Sequence, residues 1–407
     1  MNLLFVANRF PYPPHRGDKL KIYNLARQLS KKHNLYLLTF IQDKKDYKYV
    51  HELEKYFKKV EVIYLPFLRS AFNCMTGVFS SLPFQLNYFR SDKFEKLLNE
   101  FISDHDIDAI HTQHLRMSQY TSEIKNIPTI LDLPDAYSLY WKRRSKLCCS
   151  SFQKKLEMLE HKKILEYERV IKKFDMTLVC SNEDKEILEN DNDYDSINIL
   201  PNGIDTSTFK SERHDYSIND RIIFTGNMDY FPNSDAVVYF SNEIFPEVLK
   251  KFPDVKFYIV GQKPPSKVLN LQSENIIVTG FVDSIADEYK SSSIAVSPVR
   301  VGAGTLNKVL EPMAMGLPVV SSPIGFEGIG AVHGEEILLA TNKDEFVDSI
   351  VNLLSNQNYR QYIGENGKNL VTQKFSWEKV SDKLENYFYE VCGNEKYTYR
   401  NSLQKVG

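Results

Sequence analysis

The segment SPVRVGAGTLNKVLEPMAMGLPVV, residues 297–320, holds the densest chemistry in the chain. A strand end at Ser-Pro runs into a Gly-x-Gly loop, Gly302 to Gly304, and the loop opens into a helix start at TLNKVLEPMAM. The amides of Gly304, Thr305 and Leu306 then point at one spot, where helix-terminal N–H groups and the helix dipole bind an anion without any side chain. Arg300 and Lys308 add positive charge, and together these groups suit a diphosphate. Glu311 stands one turn beyond Lys308, and a carboxylate there accepts hydrogen bonds from a ribose diol. A dinucleotide fingerprint needs a third glycine three residues after Gly304. That position is Asn307, which disfavours a nicotinamide cofactor.

A second set of candidates lies in the first half. DAIHTQHLRM, residues 108–117, ends a strand with His111 and His114, whose imidazoles suit binding a hydroxyl or orienting an acceptor, or a purely structural role. Asp135 in DLPDAYSLYWKRR reads as an acid–base or sugar-contacting carboxylate, with a turn aspartate as the alternative. Asn202 and Asp205 in LPNGIDTSTF read as turn formers at a junction.

Short apolar runs must hold these groups in place. NLLFVA (2–7), LYLLTF (35–40), VEVIYLP (60–66), IDAIHTQ (107–113), PTILDLP (128–134) and DMTLVCS (175–181) alternate with charged helical stretches. Strands alternating with helices predict a parallel sheet covered on both faces. From about residue 211 the pattern restarts with RIIFTGNM, VKFYIVG, NIIVTGF, SIAVSPV, LPVVSSP and EILLA. The expectation is an α/β chain of two Rossmann-like doubly wound domains, residues 1–205 and 206–375. A C-terminal helical segment, 376–407, packs back on the first domain. In open sheets of this kind ligands sit at the carboxyl ends of the strands.

Composition narrows the function classes. At 407 residues and 42% hydrophobic the chain is long enough for two packed cores, which excludes a disordered or disulfide-stapled protein. Five cysteines without a C-x-x-C pair indicate neither a disulfide framework nor a structural metal, and suit a reducing cytosol. The N-terminus has no basic stretch before its short apolar run, so it does not read as a signal peptide, and no run of 18 apolar residues predicts a span. The net charge of −2 conceals a split: residues 1–180 carry 30 Lys and Arg against 20 Asp and Glu, and the remainder 21 against 33. A basic half faces an anionic ligand or surface. No nucleic-acid module accompanies the charge, which disfavours nucleic acid as a partner.

L-E-P-M-A-M-G-L-P-V-V after a Gly-rich loop resembles the donor-site signature of the retaining GT-B glycosyltransferases of glycosyltransferase family 4 (group 1). Gly17 in the N-terminal loop, LPNGIDTSTF, FTGNM, IVG and VTGFV follow in the family's order, and M-D-Y-x-P-N with N-K-V-L-E resembles its exopolysaccharide-associated branch. The resemblance implies the GT-B fold, with two domains facing a cleft. It also implies transfer of a sugar from a UDP- or GDP-sugar to a glycan or lipid-linked acceptor, without a cofactor or required metal. On that resemblance Glu311 holds the ribose. Gly304, Thr305, Leu306 and Gly17 approach the diphosphate, while Gly226, Asn227 and Gly302 shape the donor loops. Gly280, Phe281 and Val282 lie beside the base, and His111, His114 and Asp135 line the reaction centre.

Two departures stand out. Ala303 replaces an acid that the family often places eight residues before the ribose-binding Glu, and GNMDYFPN lacks the family's Arg and Lys. Arg300 and Lys308 are therefore expected to neutralise the leaving group.

Residues 64–89 contain one charged residue, Arg69, and seven aromatics. The stretch suits a buried core or an interfacial surface, and with the nearby lysines and arginines it suggests a cytoplasmic protein peripheral on the inner face of the membrane. A nucleotide-sugar epimerase of the same architecture and a non-catalytic two-lobed sugar-binding protein are the alternatives.

Overall fold

The computed structural model describes residues 1–393 except 15–16, 78–79, 146–150, 193, 195, 211–213, 219 and 303–305. The chain forms two compact units, one of Met1–Pro201 together with the chain from Trp377 on, the other of Asn202–Ser376.

In the first unit the strands are β1 (Asn2–Ala7), β2 (Asn34–Ile41), β3 (Lys59–Tyr64), β4 (Ala109–Gln113), β5 (Thr129–Asp132), β6 (Met176–Val179) and β7 (Ile197–Ile199). They form one parallel sheet in the order β3-β2-β1-β4-β5-β6-β7. Helices cover both faces, so β4, β5 and β6 are buried at every residue rather than at alternate ones. The edge strand β7 was not anticipated, because Ile-Asn-Ile is too short to show a period.

The second unit has β8 (Arg221–Thr225), β9 (Lys256–Val260), β10 (Ile276–Gly280), β11 (Ile294–Ser297), β12 (Val319–Ser321) and β13 (Leu338–Leu339). Their order is β10-β9-β8-β11-β12-β13, again parallel. Both sheets reverse direction once, between β1 and β4 and between β8 and β11. Strand order reversing at that point leaves a crevice at the carboxyl ends, where connections diverge to opposite faces.

The C-terminal helix, Trp377–Val391, belongs to the first unit. Trp377, Val380, Leu384 and Phe388 share its apolar face and are buried with Ile22, Leu25 and Phe5. Each such side chain contributes about 1.5–3 kcal/mol on burial, which ties the helix to the first sheet.

Candidate functional site

In the second unit the candidate donor residues gather at the crevice between β8 and β11. Gly226 and Asn227 follow β8 directly. The Gly226 amide bonds the Val260 carbonyl at 3.0 Å, Met228 N bonds Gln262 O at 3.0 Å, and Gly261 N bonds Gly280 O at 3.0 Å. These bonds tie the ends of β8, β9 and β10 together. The approach is so close that a Cβ on Gly261 would stand 1.8 Å from the Gly226 carbonyl oxygen. Glycine is required there because two backbones meet.

The helix Asn307–Ala314 starts at the same crevice. Leu306 caps it in extended conformation and makes no side-chain cap bond, so its own side chain leaves the first-turn amides free for a ligand. On its first turn Lys308 is half-buried, and its Nζ donates to Asn233 Oδ1 at 2.5 Å. Asn233 in turn donates from Nδ2 to the Asn227 carbonyl at 2.8 Å, joining the β8 loop to the helix. Burial lowers the Lys308 pKa to about 8, against the raising influence of Glu311. Glu311 lies one turn on. Burial pushes its pKa up to about 7, opposed by a hydrogen bond from Tyr289 and by the Lys308 charge. The Tyr289 hydroxyl is 3.2 Å from Glu311 Oε2 and 2.6 Å from Thr225 Oγ1, at the end of β8. The arrangement presents a pre-oriented carboxylate, an ammonium and a helix N-terminus on one short element.

Other candidates sit around this group. Arg300 is exposed, and its guanidinium grips Asp235 through two bonds, Nε to Oδ2 at 3.0 Å and a terminal nitrogen to Oδ1 at 2.6 Å. A bound diphosphate would have to share Arg300 with that carboxylate. Gly302 is buried beside Ile324. Gly280 has φ +71° with open space around it, Phe281 is 71% exposed, and Val282 packs half-buried against the core. Gly304, Thr305 and Ala303 lie outside the described residues.

Sequence reasoning missed Asn233, Tyr289, Thr225 and Asp235. Asn233 is the last residue of the M-D-Y-x-P-N motif, so a signal existed. Tyr289 lies 22 residues before Glu311 with nothing local to mark it.

In the first unit the crevice lies between β1 and β4. His114 stands at the end of β4 in a positive-φ conformation, φ 83° and ψ 142°, which costs a non-glycine residue about 1–3 kcal/mol. Its Nδ1 accepts from Arg116 N at 3.3 Å and its Nε2 meets the Tyr137 hydroxyl. Burial, then the charges of Arg116 and Arg9, hold its pKa well below the usual 6.5, so the ring is neutral. The strain and the fixed neutral ring suit a hydroxyl contact rather than a proton switch.

Asp135 lies in the turn after β5. Burial and the neighbouring Asp184 raise its pKa well above the ordinary range, and Asp184 is also raised, chiefly by burial. Ser181 Oγ and the Ala136 amide hold Asp184 at 2.6 and 2.9 Å.

His111 does not line this crevice. It has no exposed surface, and its ring packs 4.9 Å from Phe5 and 6.3 Å from Phe388. Its Nε2 is 3.2 Å from Asp132 Oδ2, while Lys21 Nζ binds Oδ1 of the same carboxylate at 2.6 Å. The correction is physical: on a central strand of a sheet covered on both faces, a side chain before the last residue is core, and here it serves a buried ion pair. Gly17 is the exposed first residue of the helix Gly17–Leu29, with no atom near its missing Cβ.

Residues 219–356 match the family model described as Glycosyl transferases group 1, and residues 22–208 match Glycosyltransferase Family 4. An uncharacterised 44.6 kDa protein in the cps region of Klebsiella pneumoniae is 26% identical over 399 residues, 94% of this chain and 98% of that protein. Among solved structures, a sucrose-phosphate synthase from Thermosynechococcus elongatus superposes with a TM-score of 0.72 at 14% identity, covering 96% of this chain and 99% of that one. Anabaena Alr3699/HepE in complex with UDP-glucose gives 0.67 at 14% identity, covering 96% and 100%. The fold is therefore GT-B, with two Rossmann-like units.

Proposed function

The chain belongs to the glycosyltransferases, its two halves matching Family 4 and group 1, and from that premise we propose that it moves a sugar from a nucleotide-sugar to a glycan or lipid-linked acceptor, with retention, in surface-polysaccharide assembly. The observation that carries the reading is Glu311, oriented by Tyr289 one turn from Lys308 at an uncapped helix start. The relative in the cps region supports the polysaccharide context, and the neighbour solved with UDP-glucose supports a uridine diphosphate donor.

In this reading Glu311 accepts the ribose hydroxyls, and Lys308 with the first-turn amides holds the diphosphate. Phe281 and Val282 border the base. Lys308 and the helix N-terminus take the charge of the leaving group, so the reading needs no metal. The bond between the anomeric carbon and the diphosphate oxygen breaks, and a bond to the acceptor oxygen forms on the same face. The departing phosphate oxygen takes the acceptor proton, leaving Asp135 and His114 to position hydroxyls in the basic first unit. No described helix is long and apolar enough to cross a membrane, and the reading places the enzyme on the cytoplasmic surface of one.

A thermal-shift panel of UDP-, GDP-, CMP- and TDP-sugars tests the donor. A ligand at 100 times its Kd raises stability by about 2.7 kcal/mol. Glu311→Ala should abolish the shift. No response of the wild type to any of them would overturn the reading, and an inverted anomeric configuration in the product, seen by NMR, would overturn retention.

A further inference from the structure

The apolar stretch at residues 64–89 divides in the fold. The helix Phe84–Tyr88 buries Leu86 and Asn87, and Phe89 after it is buried as well. The helix Phe67–Thr76 does the reverse. Ser70 is its one buried residue, while Phe67, Leu68, Phe72 and Met75 are 69%, 81%, 60% and 66% exposed. At 100° per residue Leu68, Phe72 and Met75 fall within about 60° of one another, opposite Ser70. Four large apolar side chains exposed within little more than two turns of one helix exceed the scattered exposure of a soluble face.

The same helix contributes to a pocket of about 350 Å³, lined among others by Arg69, Asn73, Ser80, Asn87, Arg90 and Asp92. Its walls are fixed. Asn73 Nδ2 bonds the Arg90 carbonyl at 3.0 Å, and Asn87 Nδ2 bonds the carbonyls of Leu82 and Pro83 at 3.2 and 3.1 Å. Gly77 approaches Asn87 so closely that a Cβ would stand 2.5 Å from its amide. Asp92 is the one acidic residue among the described residues that line it. No ion pair engages Arg69 or Arg90 among the described residues.

A second row repeats the pattern nearby. In the helix Ser151–Tyr167, Phe152, Leu156 and Leu159 are 73%, 43% and 39% exposed at helical spacing. This helix docks on the same corner: Glu160 accepts from the amides of Phe84 and Gln85, and Lys163 reaches the Gly77 carbonyl. Lys154 and Lys155 are exposed beside the row.

We propose that the Phe67–Thr76 face is a membrane-docking site, inserting Phe67, Leu68, Phe72 and Met75 among acyl chains and receiving the phosphate of an anionic phospholipid between Arg69 and Arg90. Charge complementarity selects this occupant. An apolar face beside two arginines that form no ion pair among the described residues, on a half with an excess of ten basic residues, matches a hydrocarbon layer rimmed by phosphates. The site gives the membrane part of the proposed function an address and does not depend on the donor site.

Flotation of the full chain with vesicles of phosphatidylcholine, with and without phosphatidylglycerol, tests it. The wild type should float preferentially with phosphatidylglycerol. Leu68→Ser with Phe72→Ser should weaken partitioning about tenfold or more, and Arg69→Gln with Arg90→Gln should erase the difference between the two vesicle types. All four sites are exposed, and the thermal shift with UDP-glucose, read on the same samples, reports folding and the donor site separately. Loss of flotation with that shift retained supports the docking site. Flotation as expected in a chain that answers no nucleotide-sugar would sink the donor reading and leave this one standing. Undiminished flotation of the Leu68/Phe72 variant overturns the proposal. So does a dimer broken by that variant in a chain that never floats, which would make the face an interface between copies. Stabilisation by inorganic phosphate that needs Arg69 and Arg90, without flotation, would assign the pocket to a free anion and likewise overturn it.

Discussion

Tyr289 donates its hydroxyl proton to Glu311 Oε2 across 3.2 Å, and the same hydroxyl oxygen lies 2.6 Å from Thr225 Oγ1 at the end of β8. The carboxylate therefore does not hang free on its helix. It is referenced to the sheet through a buried phenol, which is how a strand end fixes the direction of a group on the next element. Burial and the facing carboxylate keep Tyr289 well above the usual phenol range, so it remains a donor at any working pH.

Tyr289→Phe keeps the ring and removes the link. Glu311 and Thr225 each lose a buried partner, at a cost of about 1–3 kcal/mol in stability. The bond also holds the Glu311 pKa down against burial. Its loss should move that pKa above about 7 and shift the acid limb of donor binding to higher pH. Calorimetric titration with UDP-glucose across pH checks this, and an unmoved midpoint would reduce Tyr289 to a packing residue.

Donor affinity in the wild type should itself be bell-shaped. Glu311, with a pKa of about 7, must be ionised to accept two ribose hydroxyls, so affinity falls as pH drops through 7. Lys308, with a pKa of about 8, must be protonated to meet a diphosphate, so affinity falls as pH rises through 8. Glu311→Gln should remove the acid limb and Lys308→Met the alkaline one. Stability has its own sign. The folded pKa of Glu311 lies above its unfolded value of 4.5, so its contribution is complete below 4.5 and is lost as pH rises through 7. A flat affinity profile between pH 6 and 9 would separate both groups from the donor.

Much of this was legible in the sequence. Twelve of the thirteen strands announce themselves as apolar runs because both faces of each sheet are covered, and the donor helix announces itself through glycines and a Lys-Glu pair one turn apart. What escaped is what depends on the third dimension. Tyr289 and Asn233 act on Glu311 and Lys308 from other elements. Asp235, which occupies Arg300, looks in sequence like any helix aspartate. His111 and His114 are three residues apart and of one type. Only the end of β4 separates a core imidazole from one at the crevice, and a period-two pattern cannot locate that end to a single residue.

The two glycines flanking the β9 and β10 ends should respond unequally. Gly280 is left-handed but has nothing within 4 Å of its missing Cβ, so Gly280→Ala should cost only the backbone strain, about 1–2 kcal/mol. Gly261→Ala puts a methyl 1.8 Å from a carbonyl oxygen that neither strand can withdraw without breaking the Gly226–Val260 bond. It should lose far more stability and donor binding together. Equal Tm values for the two variants would contradict the close approach.

Lys21 and Asp132 make a deeply buried ion pair, with side chains 3% and 1% exposed. The ammonium also bonds the Leu200 carbonyl at 3.1 Å. Burial alone would raise the Asp132 pKa, but Lys21 and His111 outweigh it and hold it below the ordinary value. Lys21→Met strands a buried carboxylate beside a neutral thioether, and breaking such a pair costs about 3–5 kcal/mol. Lys21→Met with Asp132→Leu removes both charges and should recover much of that loss. The pH dependence separates charge from packing. In the wild type Asp132 adds stability above its unfolded pKa of about 3.8, lost as pH falls. In Lys21→Met its folded pKa rises above that value, so the carboxylate then destabilises as pH rises. The penalty for the single variant, measured by urea unfolding, should therefore shrink from neutral pH toward pH 4, whereas a penalty independent of pH would mean that Lys21 acts through its methylene stem alone.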